Sequence, residues 1–114
     1  MKKIDRKTAK HYFWKDVCDG WYLLDSNELS VIAEKMPSGT VKDMHFHRKA
    51  RQFFYMLSGE AVMRFPDREE ILSAGDGIEI EPNEIHQMKN DSSQAAEFIV
   101  VSMPRSHGDK IVIE

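Results

Sequence analysis

The sequence predicts an all-β domain, a sandwich or barrel of short strands. Two observations carry this reading. Aromatic and β-branched runs of strand length recur along the chain, each closed by a Gly, Pro, Asn or Asp turn signal. No stretch sustains the period of an amphipathic helix, and no gap between runs is long enough for the crossover helices of a parallel sheet. A chain of 114 residues is expected to form one domain with a single core.

The elements follow in order. Residues 1–19 have weak periodicity and read as an N-terminal arm, irregular or with one short helical turn. Lys2, Lys3, Arg6, Lys7 and Lys10 make it a solvated basic tail. The barrel is expected over 20–114. Its first strand is the aromatic-aliphatic run 21–24, closed by Asp25-Ser26-Asn27. A second covers 29–36 and stops at Pro37-Ser38-Gly39. A third covers 41–47, with Val41, Asp43, His45 and His47 on one face and Lys42, Met44 and Phe46 on the other. After a basic bend at 48–51 comes the apolar run 52–57, closed by Ser58-Gly59, and then 61–65, turned by Pro66-Asp67. Gly75-Asp76-Gly77 introduces the alternating run 78–81, with one wet face. Pro82-Asn83 turns into 85–88. The run 96–103 reads as a buried central strand, and 111–113 as the last.

Composition removes several function classes. Sixteen Lys+Arg stand against nineteen Asp+Glu, a net charge of −3, so there is no basic excess to neutralise phosphates and no nucleic acid is expected as partner. No apolar run reaches the length of a membrane helix, and no membrane partner is expected. Cys18 is the one cysteine, which excludes an intrachain disulfide and fits a reducing, cytoplasmic setting. Asp16 and Asp19 flank it and disfavour a thiolate, so its role reads as structural.

The chemistry concentrates in histidine. His45 and His47 lie two apart on one strand and project from the same face, their Cα atoms about 6.5–7 Å apart, so both rings can reach one ion. Gln52 opens the next strand and would return beside His47 if the two strands pair across the bend. His86 follows the Pro82-Asn83 turn. Asp43 shares the parity of His45 and is a candidate for orienting an imidazole or for a strand-edge ion pair. Phe54 and Met56 share the parity of Gln52 and are candidates for lining a pocket. Arg48, Lys49 and Arg51 are solvated, or attract an anion to the ligands beside them.

Two full patterns contain these residues: Gly39-x5-His45-x-His47-x4-Gln52-x6-Gly59 over 39–59, and Gly75-x5-Glu81-x-Asn83-x2-His86-x3-Asn90 over 75–90. They resemble the two motifs of the cupin superfamily, G-x5-H-x-H-x3,4-E-x6-G and G-x5-P-x-G-x2-H-x3-N. Gly39, His45, His47, Gly59, Gly75, His86 and Asn90 stand at pattern positions with every gap of the right length. The resemblance implies a small single-domain cupin, a jelly-roll-like double-stranded β-helix. Three positions depart from it. Glu81 stands at the motif Pro, with Pro82 one place later. Asn83 replaces a Gly, and Asn tolerates a left-handed turn best among the other residues. Gln52 replaces the ligand Glu, which removes a charge and a proton acceptor but keeps an oxygen donor.

The resemblance implies one divalent transition metal (Fe, Mn, Ni or Zn) held by His45, His47, Gln52 and His86, with open positions for a small-molecule ligand. The leading expectation is an enzyme, a metal-dependent dioxygenase or a sugar isomerase or epimerase, acting on a small, polar, anionic molecule. Gln52 weighs against mechanisms in which a ligand Glu takes a substrate proton. The second expectation is a non-catalytic module that binds or senses a sugar or small acid. A homodimer is expected because outward Phe46, Phe53, Tyr55 and Leu57 would leave an apolar patch. The competing cover is the arm, through Tyr12, Phe13 and Trp14.

Overall fold

The computed structural model describes residues 1–113, and among them there is no α-helix. Eleven strands form: β1 (Lys10–Trp14), β2 (Cys18–Asp25), β3 (Ser30–Met36), β4 (His45–His47), β5 (Arg51–Ser58), β6 (Glu60–Arg64), β7 (Glu69–Ser73), β8 (Gly77–Ile80), β9 (Gln87–Lys89), β10 (Ala96–Met103) and β11 (Lys110–Val112). One layer is a six-stranded antiparallel sheet in the order β1-β2-β3-β10-β5-β8. The other is built from β7-β6-β9 and β11-β4. Isolated bridges, Val41 with Lys89 and His45 with His86, join these two small sheets. No helix here is long and apolar enough to cross a membrane.

Alternation decides which side chains enter the space between the layers. On β5, Gln52, Phe54 and Met56 are buried while Arg51, Phe53, Tyr55 and Leu57 are exposed. Phe98 and Met36 from the large sheet meet Met63, Met88 and Leu72 from the small one in a single core. The flexible thioethers fill the irregular gaps left by short, twisted strands. Cys18 is fully buried in this core, as its structural reading requires.

The structure corrects the expected arm. Residues 10–14 form β1, an antiparallel edge strand on β2, so the sheet extends into 1–19. The hairpin turns through Lys15 and Asp16 at φ 50° and 65°, left-handed values without any glycine, which is why no turn signal was visible there. Arg6 is not a free tail charge: it pairs with Glu97 and lies over Trp21. A strand unseen in the sequence, β7, pairs with β6. Its charged Glu69 and Glu70 and exposed Ile71 hide the period. The expected strand 41–47 is regular only from His45, and 85–88 shifts to 87–89. Phe46 lies on β4 in the second layer, so it does not join the Phe53 patch.

Asn90 ties the layers where the second motif ends. It is fully buried, its Nδ2 donates to the carbonyls of Met36 (2.9 Å) and Gln94 (2.8 Å), and its Oδ1 accepts from the Ser92 amide at 3.0 Å. Asn90→Ala strands these groups. Urea unfolding should show a loss of about 1–3 kcal/mol with an unchanged slope, since the buried Met36 carbonyl is orphaned and two part-buried partners lose their bonds.

Candidate metal centre

His45 and His86 face each other across the seam between the small sheets. Their backbones exchange two hydrogen bonds, His45 N to His86 O at 3.0 Å and His86 N to His45 O at 2.9 Å. Each ring is then oriented by its own chain. His45 Nδ1 lies 2.7 Å from the Asp43 carbonyl and His86 Nδ1 lies 2.8 Å from the Glu84 carbonyl. A carbonyl only accepts, so Nδ1 carries the proton in both rings and Nε2 is left as a lone-pair donor. His47 joins from the same strand, and one ring nitrogen from each of the three histidines lies within 4.8 Å of the others. Asn83 fixes the turn before His86. It adopts φ 69°, as its place in the motif demands, and its amide donates to the His47 carbonyl at 2.7 Å.

The donor set is preformed and unsatisfied. His86 Nε2, His47 Nδ1 and Gln52 Oε1 are buried without any hydrogen-bond partner. Gln52 Nε2 donates to Ser102 Oγ at 3.0 Å, which leaves the amide oxygen as the free end. Burial lowers the pKa of all three histidines, to about 3 for His45 and about 4 for His47, with the neighbouring His86 adding to both. Neutral imidazoles and an amide oxygen are the donors a borderline divalent ion takes. Buried donors without an internal partner, gathered from three histidines, fit an ion between them.

The centre opens into a cavity of about 410 Å3. Phe54 lines it as expected. Met56 does not, because it is sealed in the core one pleat further along β5. Asp43 reaches the cavity, but its carboxylate does not orient an imidazole. It binds Lys15 at 2.6 Å and Lys110 at 3.2 Å, and these two ammonium groups hold its pKa below the usual range. The imidazole of His45 uses the Asp43 backbone instead. Arg48 and Lys49 are exposed and Arg51 pairs with Glu79. The cations of the cavity are Lys15, Lys42 and Lys110. Sequence reasoning missed Tyr12, Trp14, Glu34 and Lys42. The available signal was Glu34, an acid in the otherwise apolar run 31–34.

A family model described as Cupin domain matches residues 33–102. No curated protein matches this sequence. Among solved structures, the polyketide cyclase RemF from Streptomyces resistomycificus is 20% identical, with 100% of this chain and 86% of that one covered at a TM-score of 0.86. A predicted oxalate decarboxylase from Thermotoga maritima is 19% identical, with 91% and 100% covered at 0.82. A sugar phosphate isomerase from a cupin superfamily, from Silicibacter pomeroyi, is 18% identical, with 91% and 76% covered at 0.78. Likeness at these identities is likeness of fold.

The lowered histidine pKa values set a pH dependence. The rings stay neutral in the fold at pH values where the unfolded chain protonates them from the ordinary value of 6.5. The unfolded state therefore binds more protons as pH drops below about 6.5, and the metal-free fold loses stability through that window toward pH 4. Urea midpoints should be flat above pH 7.5 and fall below 6.5. The limiting slope is about 1.4 kcal/mol per pH unit for each histidine. A variant with Gln at 45, 47 and 86 should lose most of this slope.

Proposed function

This chain belongs to the cupin family, and from that premise we propose a metal-dependent enzyme acting on a small organic anion in the barrel cavity. The observation that carries the reading is the preformed donor set of His45, His47 and His86, with Gln52 in the same cavity and no internal partner for His47 Nδ1, His86 Nε2 or Gln52 Oε1. These four residues would hold one divalent transition metal (Fe, Mn, Ni or Zn), which supplies Lewis acidity or oxygen activation to a ligand in the cavity. The chain's own residues set what that ligand is. Three lysines line the cavity against two carboxylates, Glu34 and Asp43, and the other polar donors are neutral. Tyr12, Trp14 and Phe54 supply an apolar wall and restrict water. A net positive cavity with a flat apolar side favours a compact anion over a neutral sugar.

We further propose that two copies pair through the outer face of the six-stranded sheet. Phe53, Tyr55 and Leu57 remain about half exposed there, and β1 does not cover them, since Tyr12 and Trp14 turn into the cavity. Light scattering at micromolar concentration should read about twice the mass of one chain. A single-chain mass would overturn the pairing.

Metal content tests the main reading. Elemental analysis of untagged protein should find one transition metal per chain, most of it lost in His47→Ala and all of it in the triple His→Ala variant at 45, 47 and 86. Gln52→Glu should tighten binding, because a carboxylate adds charge attraction, and should make it weaken more steeply at acid pH. Equal metal in wild type and the triple variant would sink the reading.

A further inference from the structure

Three residues outside both histidine motifs meet inside the barrel. Glu34 on β3 is only 4% exposed. Lys42, between β3 and β4, reaches both of its oxygens, with Nζ at 2.8 Å from Oε1 and 3.0 Å from Oε2. The ammonium also lies 4.8 Å from the Trp14 ring centroid and 5.7 Å from that of Phe54. Tyr12 comes from β1. Its ring lies across β2 at Gly20, where an added Cβ would stand 2.2 Å from the ring and 2.6 Å from the hydroxyl oxygen. Only glycine admits the ring in that place. Gly20 is paired with Glu34 in the sheet register, so the gap brings the phenol toward the carboxylate. Burial, then the Glu34 charge, raises the Tyr12 pKa far above its ordinary value of 10. All three residues line the cavity that also holds His45, His47 and Gln52.

A buried ion pair contributes little net stability, because desolvation offsets the attraction. This one stands in the wall of the ligand cavity, where a few convergent polar groups in an apolar lining serve a ligand. Glu34 and Asp43 are the two carboxylates among the lining residues. Asp43 binds two ammonium groups, Lys15 and Lys110, and its side chain is a third exposed, whereas Glu34 is buried and binds one, and the Gln52 amide is no base. We propose that Glu34 is the proton-transfer residue of this cavity, acting on a small 2-oxo carboxylate.

The step is an enolisation. The Glu34 carboxylate takes a proton from the carbon next to the carbonyl. The C–H pair becomes the new C–C π bond, and the carbonyl π pair moves onto its oxygen. Return of the proton from Glu34 to carbon restores the ketone, so no oxidant or reductant is consumed. Lys42 and Tyr12 are donors beside the carboxylate for the oxygen that gains charge. Lys15 and Lys110 supply attraction for the ligand's carboxylate. The inference rests on the cavity being a small-anion site, as proposed above.

The test uses the full chain as purified, with its metal content measured, in deuterated buffer with pyruvate and separately with 2-oxobutyrate. NMR follows loss of the C3 protons, and tryptophan fluorescence titration gives the apparent Kd. Wild type should exchange these protons well above the buffer rate. Glu34→Gln should slow exchange at least about 100-fold, with Kd within about threefold, while Glu34→Asp recovers part of the rate. Glu34→Gln with Lys42→Met removes the ion pair as a unit and guards against misfolding; it should fold and be equally slow. Exchange by Glu34→Gln within threefold of wild type overturns the assignment. So does wild-type protein that binds neither acid, or binds one without exchange. Metal content is read separately, so its absence would sink the metal centre while leaving the Glu34 result standing.

Discussion

The two backbone hydrogen bonds between His45 and His86 are the constraint on which the rest depends. They join β4 to the segment before β9 and, with the Val41–Lys89 bridge, close the second layer out of its two small sheets. The same two bonds place two imidazoles opposite each other. The histidine triangle is thereby in large part a consequence of backbone pairing, with Nδ1 of His45 and of His86 each held by a carbonyl two residues upstream while His47 joins from the strand of His45. Nε2 of His86 is left aimed at nothing in the protein. Preorganisation of this sort removes the entropic cost of gathering ligands around an ion.

Most of the fold was legible because its information is local. Turn residues at 37–39, 58–59 and 75–77 bracket apolar runs whose alternation says which side is wet. The histidine set was legible for the same reason: His45 and His47 share a strand face, and the motif spacing identified His86 as their partner. Gln52 lines the same cavity as His47, but not by the expected pairing. β4 pairs with β11, and β5 with β10 and β8, so the bend crosses from one layer to the other and the two residues reach the cavity from different sheets. What failed was what depends on partners distant in sequence. β1 forms because β2 offers it an open edge, through a hairpin of Lys15 and Asp16 in conformations no glycine announced. β7 forms because β6 pairs with it, despite three exposed side chains in a row at its start. Met56 has the parity of Gln52 yet lies in the core, because the cavity ends before the strand does.

The electrostatics of the cavity follow from the exchange of an acid for an amide at position 52. The donor set carries no charge, since burial keeps the imidazoles neutral and Gln52 has none. A divalent ion there would keep its full charge, with three lysines nearby and two carboxylates already paired to them. In a low-dielectric wall such a field is screened little, and an anionic ligand is the natural counterpart.

Gly20 shows how far the cavity wall has been shaped at the expense of local preference. Glycine in a strand interior weakens the strand, having no side chain to pack and more backbone freedom to lose. Here the missing side chain is the space that the Tyr12 ring fills. The buried Glu34–Lys42 pair is a second local cost, since an apolar pair of equal volume would serve stability as well. Departures from the locally best residue concentrate where a fold carries its chemistry. Two of them, Gly20 and Glu34, are paired across adjacent strands, and Glu34 lines the cavity with the Tyr12 ring that Gly20 admits. That placement supports including this wall in the proposed site. The histidine seam alone does not complete it.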